Sequence, residues 1–371
     1  MKMKMKKIVG LTLAGLMAVS LCACGSAEKG GSEDQADAAK TRESTEEAAS
    51  GTEESAGTEA AAESADAGEL TEIDVVLDWY PNAIHTFLYE AIDNGYFEET
   101  GLKVNLISPA ESVDSITFVA TGKAQIGLTY PIEIVQANDN DMPVKALAAV
   151  SQKALDCMCS LASNDGITED MSSLKGKTVG YSGTAAAEAI MRTIAKNAGL
   201  TDSDYELLDV GFDLVTSLTT ESVDLVIGTF VNDEVVTMEN AGYELNVYPE
   251  QDYGVPEIYG LVMAVNEDDY NAQPEVYTAF LDACRKGFAD MCADEDAALD
   301  LIMSEMNSDD NPLDETQQRE SYEILMERMQ TEDAEFLSMS STTWQEIIDW
   351  MVESDLAEKE FTAADVTIAC D

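Results

Sequence analysis

Trp79, Asn82 and His85 fall within one seven-residue stretch of the chain. An aromatic ring, an amide and an imidazole that close can hold a small, flat, polar ligand, the ring stacking on its face while the other two hydrogen-bond its edges. The same residues serve structure equally well, with Trp79 covering a sheet edge, Asn82 capping a helix and His85 bonded to backbone. His85 is the single histidine, which removes any metal site built on two histidines. Cys157 and Cys159 stand two apart, so on a strand they turn to one side without forming a C-x-x-C loop, and no second pair has zinc spacing. Apolar filling is therefore the reading for Cys157, Cys159, Cys284, Cys292 and Cys370. Glu188 and Arg192, four apart, are either a ligand-binding carboxylate with its counter-charge or a surface ion pair.

The elements that must position these residues alternate in type. Ile73-Asp74-Val75-Val76-Leu77 reads as a strand, Pro81 suits the turn or first helical position after it, and Thr86-Phe87-Leu88-Tyr89-Glu90-Ala91-Ile92 reads as a helix that stops at Asn94-Gly95. Trp79, Asn82 and His85 then gather at the carboxyl end of a strand, where ligands sit in open α/β sheets. Further strands are expected at 102–107, 124–130, 143–150 and 156–162, with helices from about Ser112 to Thr121 and from Pro131 to Asn138. A second series starts near Leu174. It includes a strand ending at Tyr181, the turn Ser182-Gly183-Thr184 and a helix from Ala185 to Asn197 that Gly199 ends. Strands near 205–210, 225–228 and 244–247 follow, then one at 259–265 and a helical tail over about 273–306, 315–329 and 342–353. Such alternation predicts mainly parallel sheets in two α/β lobes, with crossings near Ala162 and Tyr259 and a ligand cleft between the lobes. The divisions are 71–162 for the first part of lobe 1, 163–258 for lobe 2 and 259–371 for the return to lobe 1. Trp344 and Trp350 lie on the apolar face of the helix at 342–353 and read as core.

The chain opens with Lys2, Lys4, Lys6 and Lys7, then an apolar run to Leu21 and Leu21-Cys22-Ala23-Cys24. This predicts a secretory signal over residues 1–23 with a lipobox, and Cys24 as the lipidated first residue of the mature protein. Residues 24–70 are almost entirely Ser, Glu, Ala, Gly, Thr and Asp with no aromatic, a composition that predicts a disordered acidic tether. The formal charge of −53 lies overwhelmingly beyond it. A domain that acidic is repelled by nucleic acid and by anionic lipid, so the lipid is its only expected hold on a membrane.

With these segments laid out, the chain resembles the type II solute-binding proteins of ABC importers. More narrowly, it is similar to the branch that captures pyrimidine precursors of thiamine, such as formylaminopyrimidine. The resemblance rests on Leu77-Asp78-Trp79-Tyr80-Pro81-Asn82 with His85, Gly95-Tyr96-Phe97, Leu174-Lys175-Gly176-Lys177, residues 210–215, Asp224 to Gly228, and Tyr253-Gly254-Val255-Pro256. It implies a two-lobed fold in which Trp79, Asn82, His85, Tyr130 and Glu133 line the cleft from lobe 1. From lobe 2 it implies Tyr181, Ser182, Gly183, Thr184, Glu188, Asn232 and Tyr253, although Tyr130 and Tyr253 also suit ordinary rim positions. Relatives show an aromatic pair before the Asn where this chain has Phe230-Val231-Asn232, so Val231 leaves one stacking surface fewer.

The resemblance also reaches a fungal enzyme that makes the thiamine pyrimidine. That chemistry requires a cysteine-rich iron motif and a lysine able to carry pyridoxal phosphate; Cys157-Met158-Cys159 is no such motif, and residues 78–89 hold no lysine. The expectation is thus a monomeric, cofactor-free binding protein that hands a small heteroaromatic solute to an ABC permease and its ATPase. Riboflavin, a sulfonate such as taurine, and a purely adhesive role are the alternatives; sulfonates want cations, and the 182–184 turn has none beside it. Substituting Cys24→Ala is expected to release the protein from membranes or block its processing; equal incorporation of labelled fatty acid into both forms would contradict the anchor.

Overall fold

Apolar residues on both faces mark the central strands, which therefore need cover on both sides. The computed structural model describes residues 70–110, 114–309 and 311–370. The expected signal, Cys24 and, except for Leu70, the tether lie outside the described residues, as does Ser112, where a helix was expected to start. Ten strands occur among the described residues: β1 (Thr71–Val76), β2 (Leu102–Ile107), β3 (Ile126–Thr129), β4 (Val144–Ser151) and β5 (Asp156–Leu161), followed by β6 (Thr178–Tyr181), β7 (Glu206–Asp209), β8 (Leu225–Phe230), β9 (Leu245–Pro249) and β10 (Leu261–Asn266). They form two five-stranded sheets, ordered β2-β1-β3-β10-β4 and β7-β6-β8-β5-β9.

In each sheet the strands joined through helices run parallel, with β1 between β2 and β3 and β6 between β7 and β8. The expectation of mainly parallel sheets needs correction at β10 and β5, each antiparallel to both of its neighbours. Both enter a sheet directly from a crossing, with no helix to turn the chain around. A second correction concerns the first boundary. β5 was expected in lobe 1, but it pairs with β8 and β9, so the crossing lies at residues 152–155 and not near Ala162.

The crossings are bonded to their surroundings. Gly260 N–H donates to the Ser151 carbonyl at 3.2 Å, Val231 N–H to that of Leu155 at 2.9 Å, and Ala154 N–H to the Glu257 carboxylate at 3.1 Å. The helix Glu315–Met329 begins where Asp314 accepts from Gln317 N–H and ends beside the first crossing, where Gln152 N–H donates to the Arg328 carbonyl at 2.7 Å. The tail expected as one helix over 273–306 breaks at Asp294, whose extended backbone and side chain cap a new helix at Glu295. Trp344 is wholly buried and Trp350 packs partly buried against the same core.

The helix Thr86–Asp93, which carries the chain on from the 78–85 loop, is backed by the helix Pro274–Ala293 through Phe87, Leu88 and Ala91 against Tyr277, Phe280 and Cys284. The two approach so closely at Gly287 that a Cβ there would lie 2.2 Å from the Phe87 carbonyl oxygen and 2.8 Å from Ala91 N. Backbone cannot yield as a side-chain end can. Gly287→Ala is therefore expected to destabilise the fold by at least about 2 kcal/mol, read as a lowered thermal midpoint; an unchanged midpoint would show that the helices separate freely.

Candidate functional site

The loop after β1 closes on itself. Asn82, with extended backbone, accepts from Ile84 N–H through Oδ1 at 3.1 Å, while its own N–H donates to His85 Nδ1 at 3.2 Å. With Nδ1 accepting, the hydrogen-bond pattern assigns the proton to Nε2, which donates to Asp78 Oδ1 at 3.0 Å. The second Asp78 oxygen accepts from Tyr130 Oη at 3.2 Å, and Ala83 N–H donates to Gln318 Oε1 at 3.0 Å. These bonds turn Trp79, Asn82 and Ile84 toward the space between the sheets.

The opposite wall starts at Ser182-Gly183-Thr184. Gly183 has φ +76°, and a Cβ there would sit 3.0 Å from the Asp209 carboxylate, so the turn requires glycine. Thr184 Oγ1 then accepts from Ala187 N–H at 3.2 Å, which starts the helix Ala185–Asn197. Within β8, Gly228 has φ +78° and lies where a Cβ would come within 3.3 Å of the Ala187 methyl. Ser182, Thr184, Ala186, Ala187, Gly228 and Phe230 complete this wall.

Between the walls lies a narrow pocket, into which Asp78, Asp156, Asp233 and Glu234 also open. Its aromatic contacts span the lobes: Trp79 meets Phe212 edge-on at 4.3 Å, and Tyr130 meets Phe230 edge-on at 6.0 Å. Asn82 Nδ2 donates across to Asp233 Oδ2 at 3.2 Å, and Gln317 Nε2 donates to the other Asp233 oxygen at 2.9 Å. Loss of hydration pushes the Asp233 carboxyl up to about 6. The same cause, helped by Asp78, lifts Asp156 to about 7, and, helped by Asp233, lifts Glu234 to about 8 even though Glu234 Oε2 accepts from Phe230 N–H at 2.8 Å.

Of the residues expected to line a cleft, Trp79, Asn82, Tyr130, Ser182 and Thr184 come together here. Others stand elsewhere. His85 is wholly buried behind Asp78 with both ring nitrogens engaged by its own loop. Glu133 is buried behind Tyr130, accepts from Thr129 Oγ1 at 2.5 Å, and is raised to about 7 by burial. Gly183 shapes the wall without lining it, and Tyr181 is half-buried outside the pocket. Glu188 pairs with Arg192 at 2.5 Å, both partly exposed. Asn232 is buried and turned to Ser321 Oγ at 3.1 Å, and Tyr253 belongs to a separate open groove beside Ile167 and Thr168.

Sequence reasoning missed Asp156, Asp233, Glu234 and Phe230. A signal existed for the last three: Phe230 ends β8 and Asp233 and Glu234 follow it, at a strand's carboxyl end in the segment where the chain departs from its resemblance. Asp156 had none. Cys157 and Cys159 are buried against Thr229, their Sγ atoms 3.5 and 3.6 Å from its Oγ1, and burial lifts the Cys159 thiol to about 12, as suits inert filling. Among the described residues no group of three or more His, Cys, Asp or Glu is placed to hold a metal ion.

Comparison with known proteins bears on the same residues. The model of the family described as NMT1/THI5 like matches residues 82–298. The formylaminopyrimidine-binding protein of Halalkalibacterium halodurans is 36% identical over 305 residues, 81% of this chain and 91% of its own. A 4-amino-5-hydroxymethyl-2-methylpyrimidine phosphate synthase of Aspergillus parasiticus is 31% identical, but over only 42% of this chain and 45% of its own. Among solved structures, the alkanesulfonate-binding protein SsuA of Xanthomonas axonopodis pv. citri superposes with a TM-score of 0.64 at 12% identity, covering 81% of this chain and 99% of that one. That likeness establishes the two-lobed periplasmic-binding-protein fold. The extent of the family match and of the 36% identity shows that the chain belongs to the NMT1/THI5-like family.

Proposed function

We propose that the protein is an extracytoplasmic solute-binding protein that captures a thiamine pyrimidine precursor of the formylaminopyrimidine kind, held to the membrane by lipid at Cys24 and delivering its solute to an ABC permease and ATPase as a monomer. The observation that carries this is the pocket itself, in which the rings of Trp79, Tyr130 and Phe230 stand beside carboxyls able to accept from an aminopyrimidine's N–H groups. The relative that spans nearly the whole folded part is a formylaminopyrimidine-binding protein.

Capture needs no chemistry. A solute touching both walls favours the closed arrangement by its differential affinity, adding to the Trp79–Phe212 contact and the Asn82–Asp233 bond that already span the lobes. A sulfonate fits the site poorly, because carboxyls line it and no Lys or Arg does. The synthase relatives match between 42% and 60% of this chain, and the buried Cys157 and Cys159 offer no iron motif.

Two substitutions separate pocket from surface. Trp79→Ala is expected to weaken formylaminopyrimidine binding by roughly 1–3 kcal/mol in calorimetric titration, with the fold retained by circular dichroism; intact affinity would remove the ring from the site. Glu188→Gln, by contrast, is expected to leave affinity within a factor of about two and to cost at most ~0.5 kcal/mol of stability. A large loss of affinity there would return Glu188 to the ligand.

A further inference from the structure

The four carboxyls that open on the pocket are not equivalent. Asp78 spends both oxygens, on His85 and Tyr130, and Asp233 spends both, on Asn82 and Gln317. Glu234 spends one, on Phe230 N–H. The side chain of Asp156 accepts from no other described residue; its only donor is its own backbone N–H. Asp156 and Glu234 also flank one strand end, since Asp156 is registered opposite Phe230 in the β5–β8 ladder and Glu234 holds the Phe230 amide. They are the acceptors left for a ligand.

We propose, resting on the reading of this pocket as a pyrimidine site, that Asp156 and Glu234 are its specificity-determining pair and that they take the heterocycle as a cation, with a proton on a ring nitrogen beside an ionised carboxyl. The surroundings supply no competing positive side chain. Asp78 and Tyr130 face the pair from lobe 1, with neutral His85 and buried Glu133 behind them. From lobe 2 come Asp233, Cys157, Cys159 and Glu250, whose Oε1 is buried without a partner. The N-terminus of the helix Ala185–Asn197 reaches the opposite wall, but it amounts to about half a positive charge, and Thr184 already accepts one of its amides. Trp79, Tyr130 and Phe230 also line the pocket, and a ring face turned to the ligand favours a cation over a neutral ring.

The proton balances. A 4-aminopyrimidine is a weak base that protonates on a ring nitrogen and then shows two adjacent N–H donors, the spacing a carboxylate's two oxygens accept. Near neutral pH the free ligand is unprotonated and the desolvated carboxyl carries the proton; on binding it moves from carboxyl oxygen to ring nitrogen, with no net uptake. In acid the ligand arrives protonated, so the carboxyl proton must leave and affinity falls as pH falls. In alkali both partners have lost it, so one proton must be taken up and affinity falls as pH rises. A bell follows, whose alkaline limb begins between about 7 and 8, where Asp156 and Glu234 ionise.

Calorimetric titration of the full chain with formylaminopyrimidine from pH 5 to 9, in two buffers of different ionisation enthalpy, tests this. The expected result is maximal affinity near neutrality, losses approaching about tenfold per pH unit on each limb, proton release on the acid limb and uptake on the alkaline one. Asp156→Asn is expected to bind at least about tenfold more weakly and to flatten the bell. Asp156→Glu, which keeps the carboxyl, should retain it, so a misfolded asparagine variant does not blunt the test. Binding of equal strength at every pH would overturn the cation and leave the pyrimidine reading standing; no binding at any pH would overturn both.

Discussion

The site depends on the carboxyl of Asp78, held between His85 Nε2 and Tyr130 Oη. Nearly removed from water, it is tolerable only because both oxygens are bonded. The same bonds fix the loop that presents Trp79 and Asn82. His85, with Nδ1 accepting from Asn82 and Nε2 donating to Asp78, works as a neutral splint. It does not line the pocket, yet it bonds to Asp78 and Asn82, which do.

Closure adds a second layer of bonding to this knot. Asp233 lies on lobe 2 but accepts from Asn82 and from Gln317 of the helix Glu315–Met329, and Asn232 donates to Ser321 of the same helix. That helix therefore spans from the pocket rim, at Gln317, to the first crossing, at Arg328. Asp78 and Asp233 commit both oxygens to these bonds, which leaves Asp156 and the second oxygen of Glu234 as the carboxyl acceptors open to a ligand.

Much of this fold was legible because its elements announce themselves locally. Thr184 and Asp314 cap their helices, Pro131 opens another, and the apolar runs of β1, β3 and β10 permit few alternatives. What stayed hidden were the non-local choices. β5 is buried on both faces, so its sequence does not say which sheet it joins, and Asp294 looks like any acid in a helical run until its extended backbone is seen. The site divides the same way. Trp79 and Asn82 were readable as a strand end with unusual side chains, whereas Asp156 was one acid among 73 and Glu234 was marked only by its place after β8. Glu188 drew notice by its place in a first helical turn, but Arg192 one turn on already satisfies it.

The order of strands sets an order of assembly. Every strand of the second sheet lies within residues 156–249, so that lobe's ladder can close as soon as its own segment is available. The first sheet cannot. β4 is joined to its neighbours only through β10, which comes 110 residues after β4 ends, at Leu261, and fills the gap beside β3. Until that strand arrives, β4 and the apolar face of β3 stay open, and the long loop closed by their pairing is the slow entropic step. During synthesis or export from the N-terminus, the lobe that appears first is thus the one that finishes last.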